Sequence, residues 1–329
     1  MFLKRFKKLI TFFIVTTFIM PQTLFAYSKY ILPGGENIGL QINNNGIIVA
    51  GFYSIENYNP GLEANLQKGD IIRKVNNKSI YKIDDFIASI NSSNRKNIKI
   101  TFERNGKEYE TLLNLVVKDD VLKTGLYVKD MVSVIGTLTY IDPNTKLYGA
   151  LGHEVIESNT GTMIEVKEGK IYSSSVLSID KSVRGEPGCK NAKVDSNNIY
   201  GNIYENTNKG IFGNYTKDIR NDKLYEVANY EDIKLGKAKI ITVLNNEEKK
   251  EYDINIIGVN NNINDNKNIL FEVTDSELLK KTGGIVQGMS GSPIVQEGKI
   301  VGAVTNVIVN NPKKGYGILI TSMLEEAEN

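Results

Sequence analysis

A serine nucleophile is the first chemistry that the sequence suggests. Ser290 lies in the segment Gly288–Pro293, which reads Gly-Met-Ser-Gly-Ser-Pro. A glycine at position 288 lets the backbone turn so that its N–H group and that of Ser290 converge beside the hydroxyl. Such a pair of donors stabilises the oxyanion that forms when a serine attacks a carbonyl carbon, so we predict an oxyanion hole at Gly288 and Ser290. Because serine and glycine also cluster in ordinary turns, this interpretation needs a base nearby.

One imidazole is available to activate this hydroxyl. The chain contains a single histidine, His153, in the sequence Gly-Ala-Leu-Gly-His-Glu-Val. A serine hydroxyl is a weak nucleophile, and a Ser–His mechanism in this chain therefore requires His153. A lone histidine is more often a surface or core residue, and its pairing with Ser290 is what favours catalysis. The same count excludes zinc sites built from several histidines, and we expect neither a metal nor a cofactor.

A carboxylate is expected to orient the histidine ring and to stabilise its protonated form. Three candidates for this carboxylate lie between the histidine and the serine in the sequence, namely Asp180, Asp195 and Asp275. Asp275 also has a plain structural interpretation, because Thr274 and Glu277 form a capping-box pattern at the start of a helix. The residues alone leave these candidates open.

The part of the chain that must position these residues is rich in predicted strands. From Asp119 onward, short apolar segments such as Val132–Tyr140 alternate with asparagine, glycine and aspartate. The clearest helices are short, at Ser276–Lys281 and Ser322–Glu326. The asparagine-rich stretch 260–268 is expected to be an exposed loop. The pattern predicts a β-barrel or a β-sandwich.

A smaller unit precedes this part. Gly46–Ala50 and Ile98–Phe102 are typical of strands, whereas Gly61–Gly69 and Ile83–Ile90 are typical of short helices. The succession Pro-Gly-Leu, Gly-Asp-Ile-Ile and Val-Asn-Asn-Lys-Ser-Ile within residues 60–80 resembles a PDZ domain.

This resemblance implies a peptide-binding site. In PDZ domains a glycine-containing loop before a strand binds a peptide carboxylate, and the peptide adds to the sheet edge. Ile38, Gly39 and Leu40 occupy that place, so the resemblance predicts them as peptide-binding residues. The alternative is that this stretch is only a linker turn.

The N-terminus is typical of an export signal. Four cations at positions 4, 5, 7 and 8 precede the apolar run Leu9–Met20, and the segment ends at Ala26. We predict a signal peptide or signal anchor at residues 1–26, and an exported protein. The formal charge is +2, and removal of these four cations leaves −2, which argues against nucleic acid as a partner. Cys189 is the only cysteine, so no internal disulfide forms, and we expect a buried small residue or an incidental thiol.

The C-terminal half resembles the stage IV sporulation protein B peptidases, which combine a signal anchor, a PDZ domain and a trypsin-related serine protease domain. The segments that carry the resemblance are Ile135–Pro143, Gly149–His153, Thr274–Asp275, Thr282–Ile294 and Gly302–Thr305. The resemblance assigns His153, Asp275 and Ser290 to the catalytic triad, which moves Asp275 ahead of the other aspartates. Asn306 stands where a histidine is expected in this family.

The resemblance also implies a biological role. It suggests a protease in the space between forespore and mother cell, either membrane-anchored or secreted. Such an enzyme cleaves itself and then cleaves a regulatory membrane-protein partner in intercompartmental signalling. The PDZ-like groove would bind the substrate, a partner or the protein's own chain.

The predicted fold is therefore mainly β, with a small α+β PDZ-like domain at residues 30–118 followed by a trypsin-like double β-barrel protease domain at residues 119–329. The predicted function is a serine endopeptidase acting on a protein or peptide substrate. The alternatives are a catalytically silent binding scaffold, in which the PDZ-like groove supplies the function, and an esterase that uses the same triad.

Overall fold

A computed structural model describes residues 27–93, 96–219, 223–262 and 265–328. The predicted signal segment at residues 1–26 lies outside the described residues. In the part that the structure describes, no helix is long and apolar enough to cross a membrane.

The first part of the chain forms a small sheet with two helices. Its strands are β2 (Asn37–Phe52), β3 (Ile71–Val75), β4 (Lys78–Ser79), β5 (Asn97–Arg104) and β6 (Lys107–Asn114). Outside this sheet, β1 (Tyr30–Pro33) pairs with strands that come later in the chain, and β7 (Val116–Lys118) and β8 (Val121–Lys123) pair with each other. Helix α1 (Pro60–Glu63) begins at Asn59, whose side chain accepts the Leu62 N–H, and it is shorter than predicted. Helix α2 (Ile83–Asn91) buries Phe86 and Ile90 against the sheet.

The next strands form a first barrel. They are β9 (Leu126–Ile141), β10 (Leu147–Ala150), β11 (Val166–Asp180), β12 (Cys189–Ile203), β13 (Glu205–Thr207) and β14 (Gly210–Asn214), and they close the barrel together with β2. Strand β15 (Tyr225–Val227) follows and pairs with β1 outside this barrel. The pairs β12–β11, β11–β2, β2–β9, β9–β10 and β10–β14 run antiparallel. A bridge between Gly201 and Tyr215 closes this circuit. The interior is apolar and includes the fully buried Ile38, Ala150 and Ile211.

The last strands close a second barrel. They are β16 (Gly236–Val243), β17 (Lys249–Val259), β18 (Ile269–Val273), β19 (Pro293–Gln296), β20 (Lys299–Val307) and β21 (Lys314–Leu319). Their pairing order is β16–β17–β18–β21–β20–β19 and back to β16. A single 3₁₀ turn (Tyr230–Asp232) precedes this barrel, helix α3 (Ser276–Thr282) lies between β18 and β19, and helix α4 (Ile320–Ala327) follows β21. The predicted fold class, mainly β with a small α+β unit before a double barrel, is confirmed.

Strand β2 belongs to both parts of the molecule. Its first half, Asn37–Asn43, pairs with β9 on one side and with β11 on the other. Further along, Ile47 and Ile48 pair with β3. The PDZ-like sheet therefore continues directly into the first barrel, and β9 carries this connection towards the loop that holds Ser290.

Candidate active site

The loop that carries Ser290 is held by strand β9 and is tightly packed. The Thr137 N–H donates to the Ser290 carbonyl at 2.9 Å, and the Thr137 hydroxyl donates to the Gly288 carbonyl at 2.8 Å. On the other side, the Gly291 N–H donates to the Val304 carbonyl at 2.7 Å. The loop is thus fixed between β9 of the first barrel and β20 of the second, which places the serine where the two barrels meet.

Two glycines of this loop adopt backbone angles that favour glycine. Gly288 has φ +92° and Gly291 has φ +91°. A Cβ at Gly291 would lie 2.1 Å from the Thr137 carbonyl oxygen and 2.5 Å from the Leu151 nitrogen. Backbone atoms cannot yield to such a contact, so the conformation of the loop requires glycine at position 291 and favours it at position 288.

The backbone donors predicted for the oxyanion hole are available. Within the described residues, no group accepts a hydrogen bond from the N–H of Gly288 or of Ser290. Their carbonyl groups, in contrast, are both occupied by Thr137. Unpaired N–H groups beside a nucleophile are what an oxyanion hole needs.

The Ser290 hydroxyl is partly buried and donates to the Thr305 carbonyl at 2.9 Å. Thr305 lies in β20, so the strand next to the loop determines the direction of this hydroxyl. This hydrogen bond therefore fixes the orientation of the Ser290 hydroxyl.

The loop of His153 packs on the same two threonines. His153 follows β10 through a turn in which Leu151 has φ +67° and Gly152 has φ +72°. The Leu151 N–H donates to the Thr137 carbonyl at 3.3 Å, and a Cβ at Gly152 would lie 2.9 Å from Thr305 Cγ2. The structure thus brings the His153 loop and the Ser290 loop together.

The ring of His153 is not hydrogen-bonded to Ser290 in this conformation. Its Nδ1 lies 2.7 Å from the Glu154 carbonyl oxygen, and the Ser290 hydroxyl is bonded to Thr305. In a Ser–His mechanism the Ser290 hydroxyl would have to leave Thr305 and turn towards the ring.

Asp275, the predicted third member of the triad, is hydrogen-bonded to backbone N–H groups and not to His153. Asp275 is the N-cap of α3, where its Oδ1 accepts the Leu278 N–H at 2.9 Å. Its Oδ2 accepts the Asp253 N–H at 3.4 Å. The predicted contact between Asp275 and His153 is not present, because the carboxylate caps the helix and the ring is bonded to a backbone carbonyl.

The alternative aspartates do not replace it. Asp180 accepts hydrogen bonds from Asn191 and Cys189, which lower the pKa of its carboxyl below the usual value. Asp195 is exposed and accepts the Asn197 N–H. None of the three candidates is hydrogen-bonded to His153 among the described residues.

The structure leaves no free strand edge at the predicted peptide-binding residues. Ile38 pairs with both Gly136 and Ser173, and its neighbours in β2 are paired on both sides as well. Ile38 and Leu40 are 0% and 1% exposed. A peptide adds to a free strand edge, and both edges of Ile38, Gly39 and Leu40 are already occupied by strands of the first barrel.

Nothing in the sequence indicated a buried lysine that lies beside the Ser290 loop. Lys190 is 5% exposed, and its Nζ donates to the Thr242 hydroxyl at 3.0 Å. Its aliphatic stem lies 3.2 to 3.3 Å from the position that a Cβ of Gly288 would take. Burial disfavours the ammonium and lowers the pKa of Lys190 to about 7. No local motif marks this lysine in the sequence.

Three smaller predictions can be placed in the structure. Cys189 is free and half-buried, and burial followed by the nearby Asp180 raises the pKa of its thiol. Asn306 lies in β20 beside Thr305, and its buried Oδ1 has no hydrogen-bond partner among the described residues. No group of three or more His, Cys, Asp or Glu side chains in the described ranges is placed to hold a metal ion.

Several solved structures resemble parts of this chain at low sequence identity. A PDZ domain of the SdrC-like protein of Listeria monocytogenes is 20% identical, covering 27% of this chain and 93% of that one with a TM-score of 0.23. Rv3671c of M. tuberculosis, in an inactive serine-to-alanine mutant, is 11% identical, covering 59% of this chain and 82% of that one with a TM-score of 0.32. Human heparin binding protein is 10% identical, covering 55% and 73% with a TM-score of 0.28. No curated protein matched the chain.

The family models match most of the described chain. A PDZ domain model matches residues 37–115. The model described as SpoIVB peptidase S55 matches residues 120–324, which include the loops of His153 and Ser290 and all strands from β9 to β21. Because this match covers more than half of the chain, the protein is a serine peptidase that belongs to the SpoIVB peptidase S55 family.

Proposed function

We propose that this chain is a serine endopeptidase in which Ser290 is the nucleophile and His153 is the base. The observation that carries the proposal is the shared packing of both loops on Thr137 and Thr305. This packing brings together the loop of Ser290 and the loop that carries the only histidine of the chain, which supports the proposed pairing.

The reaction proceeds through an acyl-enzyme. Ser290 Oγ attacks the scissile carbonyl carbon while His153 Nε2 takes the hydroxyl proton. The negative charge on the carbonyl oxygen is stabilised by the N–H groups of Gly288 and Ser290. The C–N bond then breaks, His153 gives its proton to the leaving amine, and a water molecule hydrolyses the ester to regenerate Ser290.

The role of Asp275, the substrate and the biological role are proposed from the resemblance to this family. That resemblance assigns Asp275 to the triad, whereas in the conformation described above its carboxylate caps helix α3. The substrate is a protein or peptide, which the PDZ model match supports. Self-cleavage, a membrane-associated regulatory partner in sporulation signalling, and export to the space between forespore and mother cell are proposed on the same ground.

The mass of the purified chain over time tests the activity. We expect the wild-type protein to shorten itself, and S290A and H153A to keep their full mass. Shortening of S290A at the wild-type rate would contradict the proposal and favour the binding-scaffold alternative. Hydrolysis of small esters without cleavage of any peptide bond would favour the esterase alternative.

A further inference from the structure

The ring of His153 is oriented by a backbone carbonyl. Its Nδ1 lies 2.7 Å from the Glu154 carbonyl oxygen. A carbonyl oxygen only accepts hydrogen bonds, so this contact is a hydrogen bond only when Nδ1 carries the proton. The neutral ring then has its free electron pair on Nε2, which is the nitrogen that must take the Ser290 proton.

The carbonyl that fixes this tautomer is itself fixed by Asn206. The Glu154 carbonyl and the Val155 N–H belong to the same peptide group, and the Val155 N–H donates to Asn206 Oδ1 at 2.8 Å. Because a peptide group is planar, holding its N–H also holds the direction of its carbonyl. A hydrogen bond on the N–H also polarises the peptide and makes its carbonyl a better acceptor for His153.

Two more hydrogen bonds fix the amide of Asn206. Its Nδ2 donates to the Val155 carbonyl at 2.9 Å and to the Ile164 carbonyl at 2.7 Å. The residue is 9% exposed, so these bonds are shielded from water. Asn206 lies in β13 and pairs with Ile211 of β14, which pairs with Ala150 in β10, the strand that leads to His153. The amide is therefore held by the same sheet that carries the histidine.

We propose that Asn206 is a positioning residue for His153, because it holds the Glu154–Val155 peptide that keeps the proton on Nδ1. The inference rests on the proposed function of Ser290 and His153. The imidazole is thus oriented through uncharged groups, namely the Asn206 amide and the Glu154–Val155 peptide. The sequence had predicted that a carboxylate would have this role.

Nitrogen NMR of the histidine ring tests the proposal without any need for activity. His153 is the only histidine, so the ring signals of a histidine-labelled chain need no further assignment. The full chain carrying S290A, which does not cut itself, is measured at about pH 9, well above the ordinary histidine pKa. We expect a protonated Nδ1 in this background and a shift towards the Nε2-protonated form when N206A is added.

Asn44 provides a matched control in the same region. It is 1% exposed, its Oδ1 accepts the Glu165 N–H at 2.9 Å, and its Nδ2 donates to the Gly46 carbonyl at 3.1 Å. Like Asn206, Asn44 thus uses its amide oxygen and its amide nitrogen to bind backbone groups, at the far end of the loop that follows His153. N44A should leave the ring tautomer unchanged. If N206A keeps the Nδ1 proton, or if N44A shifts the tautomer as much as N206A, the proposal is wrong.

A second variant separates positioning from a loss of folding. N206D keeps an oxygen that accepts the Val155 N–H but lacks the Nδ2 donor, so it should retain the wild-type tautomer where N206A does not. A folded N206D that shows the same shift towards the Nε2-protonated form as N206A would overturn the proposal, because an acceptor for the Val155 N–H would then not be sufficient.

The same variants are also compared by peptide-hydrolysis kinetics, in proteins that keep Ser290. Displacing a base that is otherwise intact lowers kcat by about 10²-fold with little change of KM. We expect that loss for N206A and a change of less than about threefold for N44A. If wild type and all variants fail to hydrolyse peptides while the tautomers differ as expected, the proposed function is wrong and the positioning of His153 by Asn206 stands.

Discussion

Strand β9 meets two glycine-containing segments on opposite edges at Thr137. On one edge the Ser290 loop accepts hydrogen bonds from the Thr137 backbone and hydroxyl. On the other edge Asn37, at the start of the segment that includes Gly39, pairs with Thr137. The loop carries the Ser290 hydroxyl, which is hydrogen-bonded to Thr305, whereas the strand segment is buried between two neighbouring strands.

Glycine serves different purposes in the two segments. Gly291 has φ +91°, so it is required both for its backbone angle and for the lack of space around it. Gly39 is part of a regular strand, and a Cβ there would lie 2.4 Å from Cγ2 of Val194. The first constraint comes from backbone that cannot move, and the second from a side chain that can. Substitutions should therefore differ in severity between the two sites.

The largest effect is expected for G291A. The added methyl group would overlap the Thr137 carbonyl and the Leu151 nitrogen, which hold the serine loop and the histidine loop. We expect peptide hydrolysis to fall by at least about 10²- to 10³-fold, as when an oxyanion-hole donor is lost. The measurement is the rate of self-shortening or of hydrolysis of a fluorogenic peptide.

Gly298 is the control for the backbone angle alone. It has φ +81°, and no atom lies within 4 Å of the position of its Cβ. G298A should cost about 1 to 2 kcal/mol of stability from backbone strain and leave the activity of the folded protein unchanged. Equal losses of activity in G291A and G298A would show that the packing against Thr137 is not what Gly291 provides.

A smaller effect is expected at the strand. G39A should lower the free energy of unfolding by up to about 3 kcal/mol, as overpacking does, measured by urea denaturation. Val194 is partly exposed, so V194A makes room at little cost, and the double variant should recover most of the stability. A G39A variant with wild-type stability but weaker binding of C-terminal peptides would instead restore the predicted groove.

These two segments also show what the sequence could predict. The strands, the double barrel and the glycines around Ser290 were predictable, because steric limits on the backbone and alternation of apolar residues act locally. The pairing of Ile38 on both edges was not predictable, since its partners Gly136 and Ser173 are far away in the sequence. The same holds for Asn206, whose partners Val155 and Ile164 lie on a distant loop.

Lys190 makes the region below the serine loop sensitive to pH. The unfolded chain keeps a proton on a lysine up to about pH 10.4, whereas burial lowers the pKa of Lys190 to about 7 in the folded state. Between these values the unfolded state binds more protons, so the free energy of unfolding rises with pH. Below pH 7 both states are protonated and the charge stays buried at full cost. The expected rise is about 2 kcal/mol between pH 7 and pH 9.

K190M should remove this rise, since methionine fills similar space without a charge. K239M is a suitable control, because the exposed Lys239 of the same barrel is paired with Glu251, which raises its pKa. Urea denaturation of the three proteins at pH 7 and pH 9 gives the comparison. A rise of equal size in wild type and K190M would show that Lys190 is not the group that titrates.

The smallest effect is expected for Asp275, and it decides between two roles of this residue. As an N-cap, Asp275 is replaced well by asparagine, so D275N should cost a few tenths of a kcal/mol and D275A about 1 kcal/mol. As the carboxylate of a triad, its change to asparagine would lower kcat by about 10⁴-fold with the fold intact. Because the ring of His153 is bonded to the Glu154 carbonyl, we expect D275N to keep activity within about threefold, whereas a loss of the larger size would mean that the active conformation exchanges this carbonyl for Asp275.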